Sequence, residues 1–193
     1  MILLTDDIWE VKTTKEKGRG LFAKKPISQG TIIGDYIGTV LHPMKALIDD
    51  ENFYLMYYHD KAAIMPDIEK PGVHLLNHAC IPNCKLYIYK GHTLAFALKQ
   101  IAPGEELTIH YLLAPKTEFC NPCKHMCRCG QANCTGSMHL SKEKYDIWRT
   151  IYEKQSKETK RERIRYGKTL PLLSFYPKKI SKEYIKQVTN LFC

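Results

Sequence analysis

The chain has 193 residues and a formal net charge of +9, from 29 Lys and Arg against 20 Asp and Glu. Its 44% hydrophobic and 25% charged content is typical of a globular protein and excludes a wholly disordered chain. No apolar run approaches the roughly 20 residues of a membrane-spanning helix, and the first residues lack the basic start of a secretory signal. We therefore expect an intracellular protein with one compact domain and a smaller appendage, whose charge suits a polyanion or an acidic partner.

The first 113 residues carry the pattern of short strands with tight bends. β-branched and aromatic residues at 31–41 are interrupted by two glycines, and residues 85–90 alternate in polarity. Residues 93–99 form a second apolar run, and Gly91-His92 between these runs predicts a hairpin. The sequence therefore predicts a mainly β fold with some α-helix.

Eight cysteines are present, and five of them lie between Cys120 and Cys134. In an intracellular protein clustered thiolates favour zinc over disulfides, a preference that export of the protein would weaken. Cys127-x-Cys129-x4-Cys134 supplies three thiolates, and a structural zinc needs a fourth ligand from another Cys or a His. Because residues 114–138 have little periodic apolar pattern, an ion would supply the constraint that orders them.

The chain after Ser141 is predicted to be helical. Ser141 is typical of an N-cap, and residues 181–191 predict a short final helix. Aromatic and aliphatic residues recur at helical spacing in the longer segment: Tyr145, Trp148, Ile151 and Tyr152.

Three short motifs are each compatible with a plain turn. The glycines of residues 17–20 allow close approach of a ligand to the backbone, but the third glycine of a dinucleotide fingerprint is missing. The adjacent Asn77 and His78 are polar residues after an apolar pair. Glu105 and Glu106 would point to opposite faces of a strand, so we interpret them as turn and surface residues rather than a paired acid and base.

Taken together, however, six motifs occur along the chain in an order that resembles that of the SET-domain protein lysine methyltransferases. The resemblance covers about residues 8–138. It implies a SET fold of small sheets around a pseudoknot at 8–113, a zinc-binding post-SET segment at 114–138 and a basic helical extension at 139–193. The motifs that carry it are KGRGLFA (17–23), GDYIG (34–38), YLM (54–56), HLLNHACIPNC (74–84), IAPGEELTIHY (101–111) and CRCGQANCTG (127–136).

The resemblance implies S-adenosylmethionine as cofactor. The residues that would contact it are Lys17, Gly18, Arg19, Gly20, Tyr54, Asn77 and His78, together with His74, which stands where the family usually has Arg. Met138 would pack on the adenine.

The resemblance also implies a narrow channel for the substrate lysine. Tyr111 matches the catalytic tyrosine of the family, and Tyr36 and Ile109 match residues that line the channel. Methyl transfer is an in-line displacement that needs a neutral, aligned amine more than a strong base. We therefore expect Tyr111 to orient the amine.

The family's post-SET zinc site is completed by the cysteine of its Asn-His-x-Cys motif. The implied ligands here are Cys80, Cys127, Cys129 and Cys134. The thiols left over are Cys84, Cys120, Cys123 and Cys193. Of these, Cys120 and Cys123 either form a further site with His125 or are free, and Cys193 is expected to be free.

Three positions depart from the family pattern. Thr39 replaces an acidic residue, His110 replaces the usual Asp before the catalytic Tyr, and Ile109 replaces Phe or Tyr. An aliphatic Ile109 has no hydroxyl to hold the water that limits many members to one methyl group. Activity beyond monomethylation is therefore predicted.

The leading functional hypothesis is a lysine methyltransferase of histone tails, with ribosomal or other basic proteins as alternative substrates. A second hypothesis is a catalytically silent SET-like module. It is disfavoured because Tyr36, Asn77, His78 and Tyr111 are all present. A zinc-ribbon nucleic-acid binder is a third, but the usual two Cys-x2-Cys pairs are missing. The site of action would be the nucleus or chromatin in a eukaryote or invaded host, and the cytoplasm in a prokaryote.

The net charge is concentrated in the C-terminal extension. Residues 1–138 carry 15 basic and 14 acidic residues, a net charge of +1. Residues 139–193 carry 14 and 6, a net charge of +8. The extension is therefore predicted either to expose a solvated basic face or to dock nucleic acid or an acidic surface through residues 141–193. The oligomeric state is left open.

Overall fold

Ten short strands, two α-helices and one short 3₁₀ helix make up the secondary structure that the computed structural model describes. The described residues are 7–42, 54–59, 62–118, 120–158 and 166–189. The strands are β1 (Trp9–Thr14), β2 (Gly18–Ala23), β3 (Ile32–Asp35), β4 (Thr39–Leu41), β5 (Met56–His59), β6 (Ala62–Met65), β7 (Asn77–His78), β8 (Cys84–Tyr89), β9 (His92–Ala97) and β10 (Glu106–Ile109). Cys193 lies outside the described residues.

The strands form three small sheets, which confirms the predicted mainly β architecture. Their strand orders are β1-β2-β10-β7, β3-β9-β8 and β4-β6-β5. A short 3₁₀ helix, Val73–Leu75, leads into β7. The completely buried side chains at the centre of the molecule include Leu21, Ile33 and Leu107.

The β8–β9 hairpin shows how local sequence fixes one of these sheets. Its two-residue turn is Lys90-Gly91, and both residues have positive φ, 45° and 80°. Such a turn matches the right-handed twist of paired strands. The predicted hairpin is therefore confirmed, although the expected Gly91-His92 turn was wrong by one residue.

Strands β7 and β10 pair in parallel, unlike the other described strand pairs of the three sheets, which are antiparallel. Thr108 lies opposite Asn77, and Ile109 lies opposite His78. The Ala79 N–H also donates to the Ile109 carbonyl at 2.9 Å. This pairing brings the two longest sequence motifs side by side.

Both predicted C-terminal helices are present. Helix α1 spans Lys142–Glu158 and helix α2 spans Lys182–Thr189. Ser141 Oγ accepts the Lys144 N–H and Ser181 Oγ accepts the Tyr184 N–H, so each serine caps the helix that follows it. No described helix is long and apolar enough to cross a membrane.

The C-terminal segment completes a second hydrophobic core on the outer face of the β3-β9-β8 sheet. Its buried side chains Tyr176, Ile180, Ile185 and Val188 pack with Leu94 and Phe96 of β9. Backbone hydrogen bonds add to this packing, since the Ile180 N–H donates to the Gly30 carbonyl at 2.9 Å. Residues 166–189 are therefore part of the folded body.

A buried carboxylate fastens this segment to the sheet. Asp35 Oδ2 lies 2.6 Å from His92 Nδ1 and accepts the Tyr176 hydroxyl at 2.8 Å. The Asp35 side chain is 1% exposed. Losing a donor to a buried carboxylate is costly because no water replaces it.

Tyr176→Phe should therefore lower the free energy of unfolding by about 1.5–3 kcal/mol, the range for hydrogen bonds to charged groups. The measurement is urea denaturation, with the midpoint lowered and the slope unchanged. Tyr145→Phe, which removes a hydroxyl from α1, is the matched control and should leave the midpoint in place. Equal midpoints for Tyr176→Phe and the unmodified chain would contradict the proposed fastening role.

Candidate active site

A large cleft lies where the sheets, residues 123–138 and helix α1 meet. Its volume is about 1450 Å³. This exceeds the roughly 300–1,000 Å³ of typical small-ligand sites, so it has room for a cofactor together with part of a second substrate. Lys17 and Asn77 line one part of it, and the predicted helical stripe lines another: Tyr145, Trp148, Ile151 and Tyr152.

The three predicted channel residues all line this cleft. The Tyr36 hydroxyl donates to the Tyr54 carbonyl, and the Tyr111 hydroxyl donates to the Leu76 carbonyl at 3.3 Å. Ile109, the last residue of β10, is 7% exposed. The structure therefore brings together two hydroxyls and one aliphatic side chain at the end of the parallel pair.

Both tyrosines are neutral at physiological pH. Burial and the neighbouring Tyr54 raise the pKa of Tyr111 to about 12. Burial, and then Tyr111, raises the pKa of Tyr36 well above its usual value. The hydroxyls can therefore donate hydrogen bonds, while a phenolate base is disfavoured.

Glu106 organises the end of the cleft near β2. Its Oε1 accepts the Asn77 side-chain N–H at 2.9 Å, and its Oε2 pairs with Lys17 Nζ at 2.5 Å. The expectation that Glu106 is a surface residue was wrong, because its side chain is only 20% exposed. Strand alternation indicated that it points away from Glu105, but no local signal identified its partners. Glu105, which accepts the Ala102 N–H, is the expected turn residue.

A side chain at Gly20 would crowd the contact between β2 and Asn77. A Cβ on Gly20 would lie 2.8 Å from Asn77 Nδ2 and 3.0 Å from Glu106 Oε1. Asn77 Nδ2 also donates to the Arg19 carbonyl at 3.1 Å, whereas the Arg19 guanidinium donates to the Ile68 carbonyl. Of the predicted cofactor residues, those that line the cleft are Lys17, Tyr54, His74, Asn77, His78 and Met138. Gly18, Arg19 and Gly20 lie beside it on β2.

His74 lines the cleft and carries one polar atom whose hydrogen-bonding capacity is unused among the described residues. Its Nε2 is buried, and no hydrogen-bond partner for it is found among the described residues. Its ring meets Tyr54 edge-on, with centroids 5.5 Å apart. Burial, and then Arg19, lowers the pKa of His74, so the ring is favoured in its neutral form. An orphaned nitrogen in a roomy cleft fits a polar ligand such as the predicted cofactor.

Two further histidines flank Tyr111. His78 Nδ1 accepts the Tyr111 N–H at 3.2 Å, and burial followed by Lys17 lowers the pKa of His78 to about 4. His110 lies 4.6 Å from His78 between ring centroids. Burial, and then His78, lowers the pKa of His110 to about 3. The His110 ring, which replaces the Asp expected from the resemblance, is therefore favoured in its neutral form.

Four cysteine thiols converge beside β7. The sulfurs of Cys80, Cys127, Cys129 and Cys134 all lie within 4.8 Å of one another. Cys80 Sγ is 3.6 Å from Cys127 Sγ and 3.8 Å from Cys134 Sγ. A tetrahedron with Zn–S bonds of about 2.3 Å has S–S edges of about 3.8 Å. The cluster could therefore hold a zinc ion.

The loop that carries three of these thiols is fastened to the Cys80 segment. Gln131 donates to the Ile81 carbonyl and accepts the Ile81 N–H, both at 2.8 Å. The Thr135 N–H points at Cys80 Sγ at 3.4 Å. N–H groups aimed at sulfur stabilise thiolates, which suits a metal centre. Cys84, by contrast, is completely buried in β8, where burial raises the pKa of its thiol.

Comparison with known proteins bears on the same part of the chain. Residues 18–112 match the family described as SET domain. The chain is 29% identical over 165 residues to a Mus musculus protein named histone-lysine N-methyltransferase, H3 lysine-36 specific. That match covers 79% of this chain and 6% of the mouse protein.

Two further relatives carry similar names. An H3 lysine-9 specific histone-lysine N-methyltransferase of Schizosaccharomyces pombe is 30% identical over 156 residues, which is 66% of this chain and 32% of that protein. The Drosophila melanogaster histone-lysine N-methyltransferase ash1 is 30% identical over 137 residues, or 64% of this chain and 6% of ash1. The chain therefore spans less than half the length of each of these three relatives.

Cys129→Ser should reduce the zinc content of the purified protein by one ion per chain, because a serine hydroxyl is a poor zinc ligand beside three thiolates. Elemental analysis of the desalted protein measures this. Cys120→Ser, which lies outside the four-thiol cluster, is the control and should keep its zinc. Unchanged zinc in Cys129→Ser would exclude the four-cysteine centre.

Proposed function

This chain belongs to the SET-domain family of protein lysine methyltransferases, and we propose that it transfers a methyl group from S-adenosylmethionine to lysine side chains of a basic protein. The observation that carries the proposal is the convergence of two tyrosine hydroxyls, those of the buried Tyr36 and the partly exposed Tyr111, at one cleft. A site of that kind can orient an amine without a strong base.

Deprotonation of the substrate amine is the first requirement of the reaction. A lysine with an ordinary pKa of about 10.4 is almost entirely charged at pH 7 and cannot attack. S-adenosylmethionine supplies a methyl group on a cationic sulfonium. A dry cleft and a neighbouring positive charge both favour the neutral amine. His78, which lines the cleft, is 3% exposed, and this burial lowers its pKa.

Alignment of the neutral amine is the second requirement. The hydroxyl protons of Tyr36 and Tyr111 are already donated to the Tyr54 and Leu76 carbonyls. The two hydroxyl oxygens can therefore accept the N–H groups of the neutral amine, which leaves its lone pair free to attack the methyl group. Ile109 closes the channel with an apolar wall and excludes water. Holding the reacting atoms in line is the main catalytic contribution of such a site.

The residues proposed for the cofactor lie next to this channel. Asn77 is held by Glu106 and the Arg19 carbonyl, so its amide orientation is fixed before a ligand binds. Lys17 is held by the same carboxylate. A zinc ion on the four thiols would keep the 127–134 loop, and with it Met138, against the cleft.

Histone or histone-like tails are the proposed substrate class. The relatives named above are histone-lysine methyltransferases, but their names give different lysines of H3. The target lysine of this chain therefore does not follow from them. Action at chromatin follows from this proposal, and contact of residues 141–193 with nucleic acid remains a proposal from their net charge of +8.

Incubation with labelled S-adenosylmethionine and core histones should transfer label, and Tyr111→Phe should reduce the turnover number about 100-fold because one orienting hydroxyl is lost. Tyr166→Phe, which alters an exposed tyrosine, is the matched control. The pH profiles of Tyr111→Phe and the unmodified enzyme should rise in parallel between pH 7 and 10, since the pKa of Tyr111 is about 12.

Two results would count against this assignment. Cofactor binding by calorimetry without transfer to any histone or ribosomal protein would favour the silent binding module. An inflection in the unmodified enzyme that disappears in Tyr111→Phe would make Tyr111 a base instead of an orienting group.

Ile109→Tyr should shift the product from di- or trimethyl-lysine to monomethyl-lysine, because the added hydroxyl can hold a water where a methylated amine must turn. Mass spectrometry of a modified peptide measures the distribution. Ile109→Val, which adds no hydroxyl, is the control and should retain the higher products. Only monomethyl product from the unmodified enzyme would refute this interpretation of Ile109.

A further inference from the structure

A second group of metal-ligating side chains lies outside the four-cysteine cluster. The ligand atoms of Cys123, His125 and His139 lie within 4.8 Å of one another. The two imidazole rings are nearly perpendicular, at 84°, with centroids 5.1 Å apart. The sequence left open whether Cys120 and Cys123 form a further site with His125 or are free thiols. The structure brings Cys123 and His125 to His139 instead, and Cys120 does not belong to the group.

The tautomer of His139 is fixed by the backbone. Its Nδ1 lies 2.5 Å from the Ala114 carbonyl oxygen, which can only accept, so Nδ1 carries the proton. Nε2 then presents a lone pair. That atom is buried, and no hydrogen-bond partner for it is found in the part of the chain that the structure describes. A carbonyl on one nitrogen and a free lone pair on the other is the usual arrangement of a metal-bound histidine.

A short antiparallel ladder connects this group to the four thiols. Met126 pairs with Ser137, the Met138 N–H donates to the His125 carbonyl at 3.0 Å, and the Cys127 N–H donates to the Gly136 carbonyl at 3.1 Å. The four-cysteine loop closes one end of this ladder. His125 and His139 lie at the other end, one on each strand.

We propose that Cys123, His125 and His139 bind a second zinc ion, with the fourth position open to water or an external ligand. One thiolate and two imidazoles are a ligand set that zinc accepts in tetrahedral sites. Oxygen-preferring cations such as magnesium and calcium are disfavoured, because the group contains no carboxylate.

The ion would connect two segments of the chain beside the cleft. Cys123 and His125 line it, and His139 adjoins the chain that leaves Tyr111, since the Leu140 N–H donates to the Leu113 carbonyl at 3.0 Å. Few apolar contacts are available in this segment, so an ion there would replace the missing hydrophobic constraint. The wall of the cleft formed by residues 123–126 would then be rigid.

Zinc content of the full chain tests the proposal independently of methyl transfer. Protein purified with zinc and then desalted should contain two zinc ions per chain, one for each ligand group. His139→Gln and Cys123→Ser should each retain one ion, and Cys120→Ser should retain both. Cys129→Ser should also retain one, now at the second site. Circular dichroism establishes that each variant is folded.

Cobalt substitution identifies which ion is lost. Cobalt in the second group has one thiolate ligand instead of four, so its sulfur-to-metal charge-transfer band per ion should be much weaker in Cys129→Ser than in His139→Gln. His125→Gln alters an exposed side chain and serves if the other variants fail to fold. One zinc per unmodified chain, or loss of both ions from His125→Gln, would overturn the proposal.

Discussion

The parallel pairing of β7 with β10 holds the candidate site together. In this pairing Thr108 lies opposite Asn77, and Ile109 lies opposite His78. A parallel pair cannot be closed by a tight turn, so the chain between these strands must travel out and return. It does so as the β8–β9 hairpin. Asn83 then secures β10 from its other side, accepting the Thr108 N–H and donating to the Glu106 carbonyl, both at 2.8 Å. The segment 77–83 therefore wraps around β10 and fixes the position of Tyr111 beyond it.

The wrapping of residues 77–83 around β10 determines which polar groups of the cleft are buried and must be paired. It buries Asn77, His78 and Thr108 together, and buried polar groups must be paired to be tolerated. Glu106 supplies the paired carboxylate at one end, and neutral tyrosines and histidines occupy the other. Under the proposed function, a charged lysine substrate would therefore meet a channel that stabilises its neutral form better than its cation.

The sequence predicted those parts of the structure that depend on local pattern. The β8–β9 hairpin, the two serine-capped helices and the stripe at Tyr145 and Trp148 are of this kind, since each follows from turn chemistry or helical periodicity. The partners of Glu106 and His139 were not predictable from local sequence. These partners are distant in the chain and become neighbours only when the chain folds. The resemblance to a family supplied the long-range order that local pattern lacks.

The C-terminal extension combines a net positive charge with a buried apolar face. Its charge predicted either a solvated basic face or a docking surface, and its apolar residues complete a core on the β3-β9-β8 sheet. Both observations are satisfied by one amphipathic arrangement: Ile185 and Val188 face inward while Lys182 and Lys186 are exposed. Removing the whole extension would therefore expose the apolar face of that sheet and unfold the site. A docking role can be separated from a structural one only by changing the exposed lysines while the buried face is left intact.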